Sequence, residues 1–187
     1  MTSASKPTLN DFDRRIHEVA LCVSHLESDL IGYLIRAHEA RTAVHQCAAE
    51  HKNISKEDLI YLVAINPKGE VVHSRAAQNP NIDQDLLKHL IKTNDLDSFV
   101  HRNAARNPSI SPELLRHLVE INEATSVVHE YAAGNPNIPV DLLEHLILTR
   151  PENSCIHIYA RSNIKFMLLS PETQKLIESR WPFANNV

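Results

Sequence analysis

The chain has 187 residues, of which 43% are apolar and 22% charged, and its net charge is −4 with the histidines neutral. This length allows one domain with a sizeable core, and the acidic balance argues against a non-specific polyanion binder. No apolar run approaches the roughly 18 residues that a membrane-spanning helix needs, and the N-terminus lacks the apolar segment of a secretory signal. We therefore expect a cytoplasmic protein with no membrane partner.

One pattern recurs along the chain at a constant step. Its clearest copies start with Val-His, continue with a pair of alanines and Asn-Pro, and end in a Leu-Leu-x-His-Leu run. Because the step is always 28 residues, no insertion interrupts the series. A fixed period of this size is typical of stacked supersecondary units, as in solenoids. The copies start at Ile16, Val44, Val72, Val100, Val128 and Ile156.

The copy that starts at Val100 predicts two helices. Its valine and two alanines fall on one stripe of a first helix. Asn107-Pro108 ends that helix, because the residue before a proline is disfavoured in the helical region. Ser111-Pro112 then predicts an N-cap and the first turn of a second, longer helix, whose buried stripe includes Leu115.

The two ends of the chain depart from this pattern. The first copy has no Asn-Pro, and in the last copy Thr173-Gln174 stands in place of the Leu-Leu pair, in a shifted register. We expect residues 1–10 to be disordered and residues 11–187 to form a single helical-repeat domain. Residues 11–43 and 156–187 would be its atypical caps, since the outer units of a solenoid face water.

The repeat resembles that of the leucine-rich repeat variant (LRV) family. Asn107-Pro108, the run Pro112-Glu113-Leu114-Leu115 and Leu118 fit the family pattern position by position, and the match is close from Val72 to about Ile147. The resemblance implies a right-handed superhelix that pairs α-helices with shorter, often 3₁₀, helices and has no sheet. The period here is longer than in the family, and histidine stands where the family has arginine after the first valine. The cysteine cluster of the family's iron–sulfur member has no counterpart, so the resemblance implies an architecture and no activity.

We therefore expect an all-α fold, namely a right-handed superhelical α-solenoid of about six two-helix repeats, each of 28 residues. The asparagines that precede proline are interpreted as structural groups that bond neighbouring backbone. The three cysteines are far apart and are expected to be reduced thiols.

Histidine recurs at two repeat positions, one after the leading valine or isoleucine and one in the second helix. Equivalent residues of stacked helices are about 8–10 Å apart, whereas a metal ion needs several ligands about 2 Å from one point. We therefore predict no metal site and no cofactor, and interpret the first set as structural groups that bond the backbone of an adjacent repeat. The alternative is that the stacked histidines of this set form a ladder that responds to pH. The first set comprises His17, His45, His73, His101, His129 and His157.

The candidate binding surface lies on the first helices, opposite the alanines. It consists of the second, third and sixth residues after each leading valine or isoleucine, and we call it the first-helix ridge. These positions differ from copy to copy and include arginine and tyrosine, which are enriched in interface hot spots. The alternative is that the tyrosines fill gaps between repeats. The residues that we expect to bind a partner are Arg75, Gln78, Arg102, Asn103, Arg106, Tyr131 and Tyr159.

These observations favour a module that binds another protein or a peptide. The sequence has no phosphate-binding loop, paired carboxylate motif or HExxH, so we predict no enzyme activity and no catalytic residue. A nucleic-acid-binding solenoid similar to HEAT-like DNA glycosylases is an alternative, with Arg75, Arg102 and Arg106 at the phosphates. The acidic balance of the chain weighs against it. An adaptor, an immunity-type inhibitor and an effector are equally compatible with the pattern.

Overall fold

The computed structural model describes residues 11–150 and 154–180. Over these ranges the chain forms α-helices, one short 3₁₀ helix (Phe166–Leu168) and no strand, which confirms the all-α prediction. The expected disorder of residues 1–10 and the last residues of the C-terminal cap, 181–187, lie outside the described residues. The α-helices, in chain order, are α1 Asp11–Ala20, α2 Ser28–Ala37, α3 Ala43–Glu50, α4 Lys56–Ile65, α5 Val71–Gln78, α6 Gln84–Thr93, α7 Phe99–Arg106, α8 Pro112–Ile121, α9 Val127–Gly134, α10 Val140–Thr149, α11 Cys155–Arg161 and α12 Pro171–Arg180.

The chain divides into two compact units, Met1–Asn94 and Asp95–Val187. In the first unit, α3 packs between α1 and α5, and α2 contacts α4. In the second unit, α9 packs between α7 and α11, and α10 contacts α12. Within each unit, the first helices of successive repeats therefore lie side by side. The single domain, the solenoid and its right-handed superhelix stay predictions.

Each central repeat has a short first helix and a longer second helix, as the sequence predicts. The helix that starts at Phe99 has 8 residues and the one that starts at Pro112 has 10. Asn107 caps the first of these in an extended conformation, which suits a residue that precedes proline. The Ser111 hydroxyl accepts a hydrogen bond from the Leu114 N–H, and proline occupies the first turn of α8.

The core of the central repeats contains side chains that recur in each of them. Ala104 and Ala105 of α7 and Leu115 and Leu118 of α8 are fully buried. Alanine at two successive positions lets neighbouring first helices approach closely, while leucine fills the space under the second helices. The same four positions are buried in the repeats that start at Val72 and Val128.

An asparagine at the end of the first helix joins successive repeats within each unit. The side-chain Nδ2 of Asn135 donates to the carbonyls of Ala105 and Asn107, at 2.7 and 2.9 Å. Its Oδ1 accepts from the N–H of Asn137 at 2.8 Å. Their burial and these bonds confirm the structural interpretation of the turn asparagines. The asparagines that donate to two carbonyls of the preceding repeat in this way are Asn79, Asn135 and Asn163.

Leu115 tests the assignment of the helix faces. Leu115→Ala should lower the free energy of unfolding by roughly 2–5 kcal/mol, because it removes a fully buried side chain and leaves a cavity. Arg116→Ala should leave the unfolding midpoint close to that of the wild type, because the side chain is 39% exposed and its ion pair with Asp141 lies at the surface. Urea denaturation measures both variants. Equal losses in the two would contradict the assignment.

Candidate functional site: the first-helix ridge

Three side chains form a continuous row on the ridge of the second unit. The guanidinium of Arg106, on α7, lies over the ring of Tyr131 on α9, with its carbon 3.8 Å from the ring centroid. The ring of Tyr131 meets that of Tyr159, on α11, edge to face, with centroids 6.1 Å apart and planes at 82°. Both contacts join neighbouring first helices, and both are favourable geometries for cations and aromatic rings.

Gly134 leaves room for this row. A Cβ atom at this position would lie 3.1 Å from Cδ1 of Tyr159, which is closer than ordinary contact. Any larger residue at the end of α9 would therefore displace the ring. The absence of a side chain here is part of what places Tyr159 against Tyr131.

The other two arginines of the ridge are paired with acids of the chain itself. Arg102 donates from Nε and Nη2 to the two carboxylate oxygens of Asp97, at 3.3 and 2.9 Å. This pairing, with a hydrogen bond from the Ser126 hydroxyl, holds the pKa of Asp97 below its ordinary value. In the first unit, Arg75 lies 2.8 Å from the Glu50 carboxylate.

The seven residues expected to bind a partner differ in their exposure. The sequence predicts that Arg102, Arg106 and Tyr131 are exposed, and among the seven residues the structure shows Gln78 and Arg106 as exposed and the other five as half-buried. The ion pair of Arg102 and the ring contact of Tyr131 account for their partial burial. The two tyrosines pack against each other between neighbouring helices and are partly exposed, and their role in binding a partner stays a prediction. The half-buried members are Arg75, Arg102, Asn103, Tyr131 and Tyr159.

Four of the histidines after a leading valine or isoleucine bond the end of the preceding second helix, namely His45, His73, His129 and His157, whereas His17 contacts the ring of His38 instead. Nε2 of His45 lies 2.9 Å from the carbonyl oxygen of Ile35, and Nε2 of His157 lies 3.1 Å from that of Ile147. These contacts confirm the prediction that the rings bond the backbone of an adjacent repeat. The buried members of the set are His45, His73, His101, His129 and His157.

His129 has a second partner that fixes its protonation. Its Nδ1 is contacted by Nη2 of Arg150, which can only donate. The ring must therefore be neutral, with Nδ1 as acceptor and the proton on Nε2, which donates to the carbonyl of Asn122 at 3.2 Å. In the neighbouring repeat, Nδ1 of His101 instead lies 3.1 Å from the Oδ1 of Asn122.

Within the described residues, no group of three or more histidine, cysteine or acidic side chains is arranged to hold a metal ion. Cys22, Cys47 and Cys155 are free thiols. No helix in the described ranges has the length and apolar character to cross a bilayer.

Comparisons of the chain with models of protein families, with curated proteins and with solved structures found no match. The resemblance to the LRV repeat stays a prediction from the sequence.

The neutral state of His129 predicts a pH dependence. Burial, followed by the nearby charge of Arg150, lowers the pKa of His129 from its ordinary value. Folding thus favours the neutral ring, and this contribution is complete above the unfolded pKa of about 6.5 and decreases as the pH falls below it. The free energy of unfolding should fall more steeply between about pH 7 and 5 in the wild type than in His129→Gln, which does not titrate there.

Chemical denaturation at a series of pH values measures this difference. The window lies above the range in which Asp97 titrates, because the pKa of that carboxyl is lowered. His89→Gln is the matched control, since His89 is exposed on α6, and it should keep the wild-type slope. A His129→Gln slope equal to that of the wild type would show that the ring is not held neutral.

Proposed function

We propose that this protein is a helical-repeat module that binds another protein or a peptide along the first-helix ridge. The row of Arg106, Tyr131 and Tyr159 carries the proposal. Arginine and tyrosine supply large contact areas and are over-represented among residues that dominate binding energy. The three side chains already restrain one another through their mutual contacts, so a partner that covers them immobilises little further side-chain motion.

Further apolar and polar residues, described for each unit in turn, belong to the proposed interface. Ile158, next to Tyr159 in α11, is 51% exposed and offers an apolar contact. In the first unit, Arg75 and Gln78 line a depression of about 310 Å³ together with Glu50. We assign the apolar and aromatic contacts to the second unit and polar contacts to the ridge of the first.

The ion pairs of the ridge favour a protein partner over a nucleic acid. A phosphate backbone binds guanidinium groups that are free to meet it. Arg75 and Arg102 are instead neutralised by Glu50 and Asp97, so binding phosphates would first require breaking both pairs. A protein surface with its own polar groups can accommodate the pairs as they stand.

The proposal is tested by capturing a partner and then changing single residues. The wild-type chain is used to isolate a partner from a lysate, and the purified complex is measured by calorimetry. Tyr131→Ala and Arg106→Ala should each weaken the complex at least about tenfold, because each removes half of the stacked pair. Glu113→Ala, on the exposed surface of α8, should leave the affinity unchanged.

Two results would contradict the proposal. In the first, substitutions on the second helices abolish binding, whereas substitutions on the ridge leave the affinity unchanged. The interface would then lie outside the ridge. The other is a captured nucleic acid whose affinity falls steeply with salt and depends jointly on Arg75, Arg102 and Arg106. Circular dichroism of every variant confirms that the helices are intact.

A further inference from the structure

Arg150 stands where the three preceding repeats have asparagine. In those repeats the asparagine after the second helix both donates and accepts. Asn122 donates from Nδ2 to the carbonyl of Leu118 at 2.7 Å, and its Oδ1 accepts from the N–H of Asp97 at 2.7 Å. Arginine has no acceptor atom, so Arg150 cannot reproduce this arrangement. The asparagines at this repeat position are Asn66, Asn94 and Asn122.

The guanidinium of Arg150 is poorly compensated. Its hydrogen bond to the described residues goes to the neutral ring of His129, and its Nε is buried without a hydrogen-bond partner. It forms no ion pair with any part of the chain that the structure describes, and burial lowers its pKa. A desolvated charge is costly unless an opposite charge or hydrogen bonds compensate it.

Arg150 lines a cavity of about 390 Å³ whose walls come from α8 and α10. Arg116 and Asp141 also line it, but they pair with each other at 2.7 Å and so offset their charges. Glu120 lines it too, yet makes no ion pair with Arg150. His145 adds a further ring nitrogen. Two charged groups of the wall thus form no ion pair with the described residues, the carboxylate of Glu120 and the guanidinium of Arg150, and only Arg150 has a buried polar atom without a hydrogen-bond partner.

We infer that this cavity binds an oxyanion, a carboxylate or phosphate group, through the guanidinium of Arg150. A planar guanidinium matches the oxygen geometry of both groups, and charge-assisted bonds of this kind are stronger than neutral ones. The bound anion would pair with the guanidinium, which forms no ion pair with the described residues. The site involves no residue of the first-helix ridge and is independent of the proposed function.

The sequence itself provides the variant that tests this site. Arg150→Asn restores the residue of the other repeats, so it should fold, and it removes the guanidinium. At about pH 7.5, where His129 is neutral, sodium phosphate and sodium acetate are titrated separately against sodium chloride of equal ionic strength. At least one of the two anions should raise the melting temperature of the wild type in a saturable manner. Arg150→Asn should weaken that response at least about tenfold.

Two further variants make the result decisive. Glu120→Gln removes a carboxylate from the same cavity, so the anion should saturate at lower concentration than in the wild type. Lys92→Asn removes an exposed positive charge from α6, outside the cavity, and should respond as the wild type does. A response to phosphate alone or to acetate alone identifies which oxyanion is bound.

The inference is overturned if neither anion gives a saturable response in the wild type, or if Arg150→Asn responds like the wild type. Should Arg150→Asn fold poorly, calorimetric titration of the wild type and Glu120→Gln decides by itself. Unchanged affinity in Glu120→Gln would then count against the site. If the anion does not bind, the ridge proposal is unaffected, because the ridge variants are measured with a different partner and lie on a different face.

Discussion

The bond from a buried asparagine amide to two main-chain carbonyls of the preceding repeat is the constraint on which the rest of the structure depends. The last carbonyls of a helix have no partner inside the helix. Asn135 donates to one of them, that of Ala105, and to the carbonyl of the capping residue Asn107, and in doing so fixes the distance between α7 and α9. Its donors reach residues 28 and 30 positions earlier, so an insertion in one repeat would break the register of the bond.

This constraint explains why the ridge can vary while the frame does not. Buried amides, alanines and leucines hold each first helix in place, so the outward residues are free to differ. Where neighbouring outward residues are large, as Tyr131 and Tyr159 are, they contact each other and form a row. Where one outward residue is small, as Gly134 is, the neighbouring ring of Tyr159 has room beside the helix. The first-helix ridge is thus shaped by the scaffold spacing and by residues that contribute nothing to the scaffold.

Much of the fold could be predicted from the sequence because its signals are local. Asn107-Pro108 and Ser111-Pro112 set helix ends by backbone restriction and by capping, and the buried face of α8 follows from its periodicity. The ridge residues were also identified by position. The contacts of these residues could not be predicted. The pairing of Arg102 with Asp97 and the stacking of Arg106 on Tyr131 depend on side-chain rotamers and on distances between helices.

Arg150 is different, because a signal for it was present in the sequence. Counting in steps of 28 residues back from Arg150 reaches asparagine three times in succession. A departure from a fixed repeat position marks a change in local chemistry, here from a group that accepts to one that only donates. What the sequence could not supply was the burial of Nε or the cavity beside it.

The free energy of unfolding of Asn135→Ala tests the role of the asparagine bonds most directly. The variant leaves the buried carbonyl of Ala105 without its donor, at a cost of about 1–3 kcal/mol. It also removes the bonds of Asn135 to the Asn107 carbonyl, which keeps the Ile110 N–H, and to the Asn137 N–H, each contributing about 1 kcal/mol. Asn137→Ala is the matched control, since its bonds to the carbonyls of Pro108 and Ile110 are exposed and part-buried, respectively, whereas those of Asn135 are buried. We predict a loss of about 2–5 kcal/mol for Asn135→Ala and a clearly smaller loss for the control. Equal, small losses in both variants would contradict the claim that these buried amides set the spacing of the repeats.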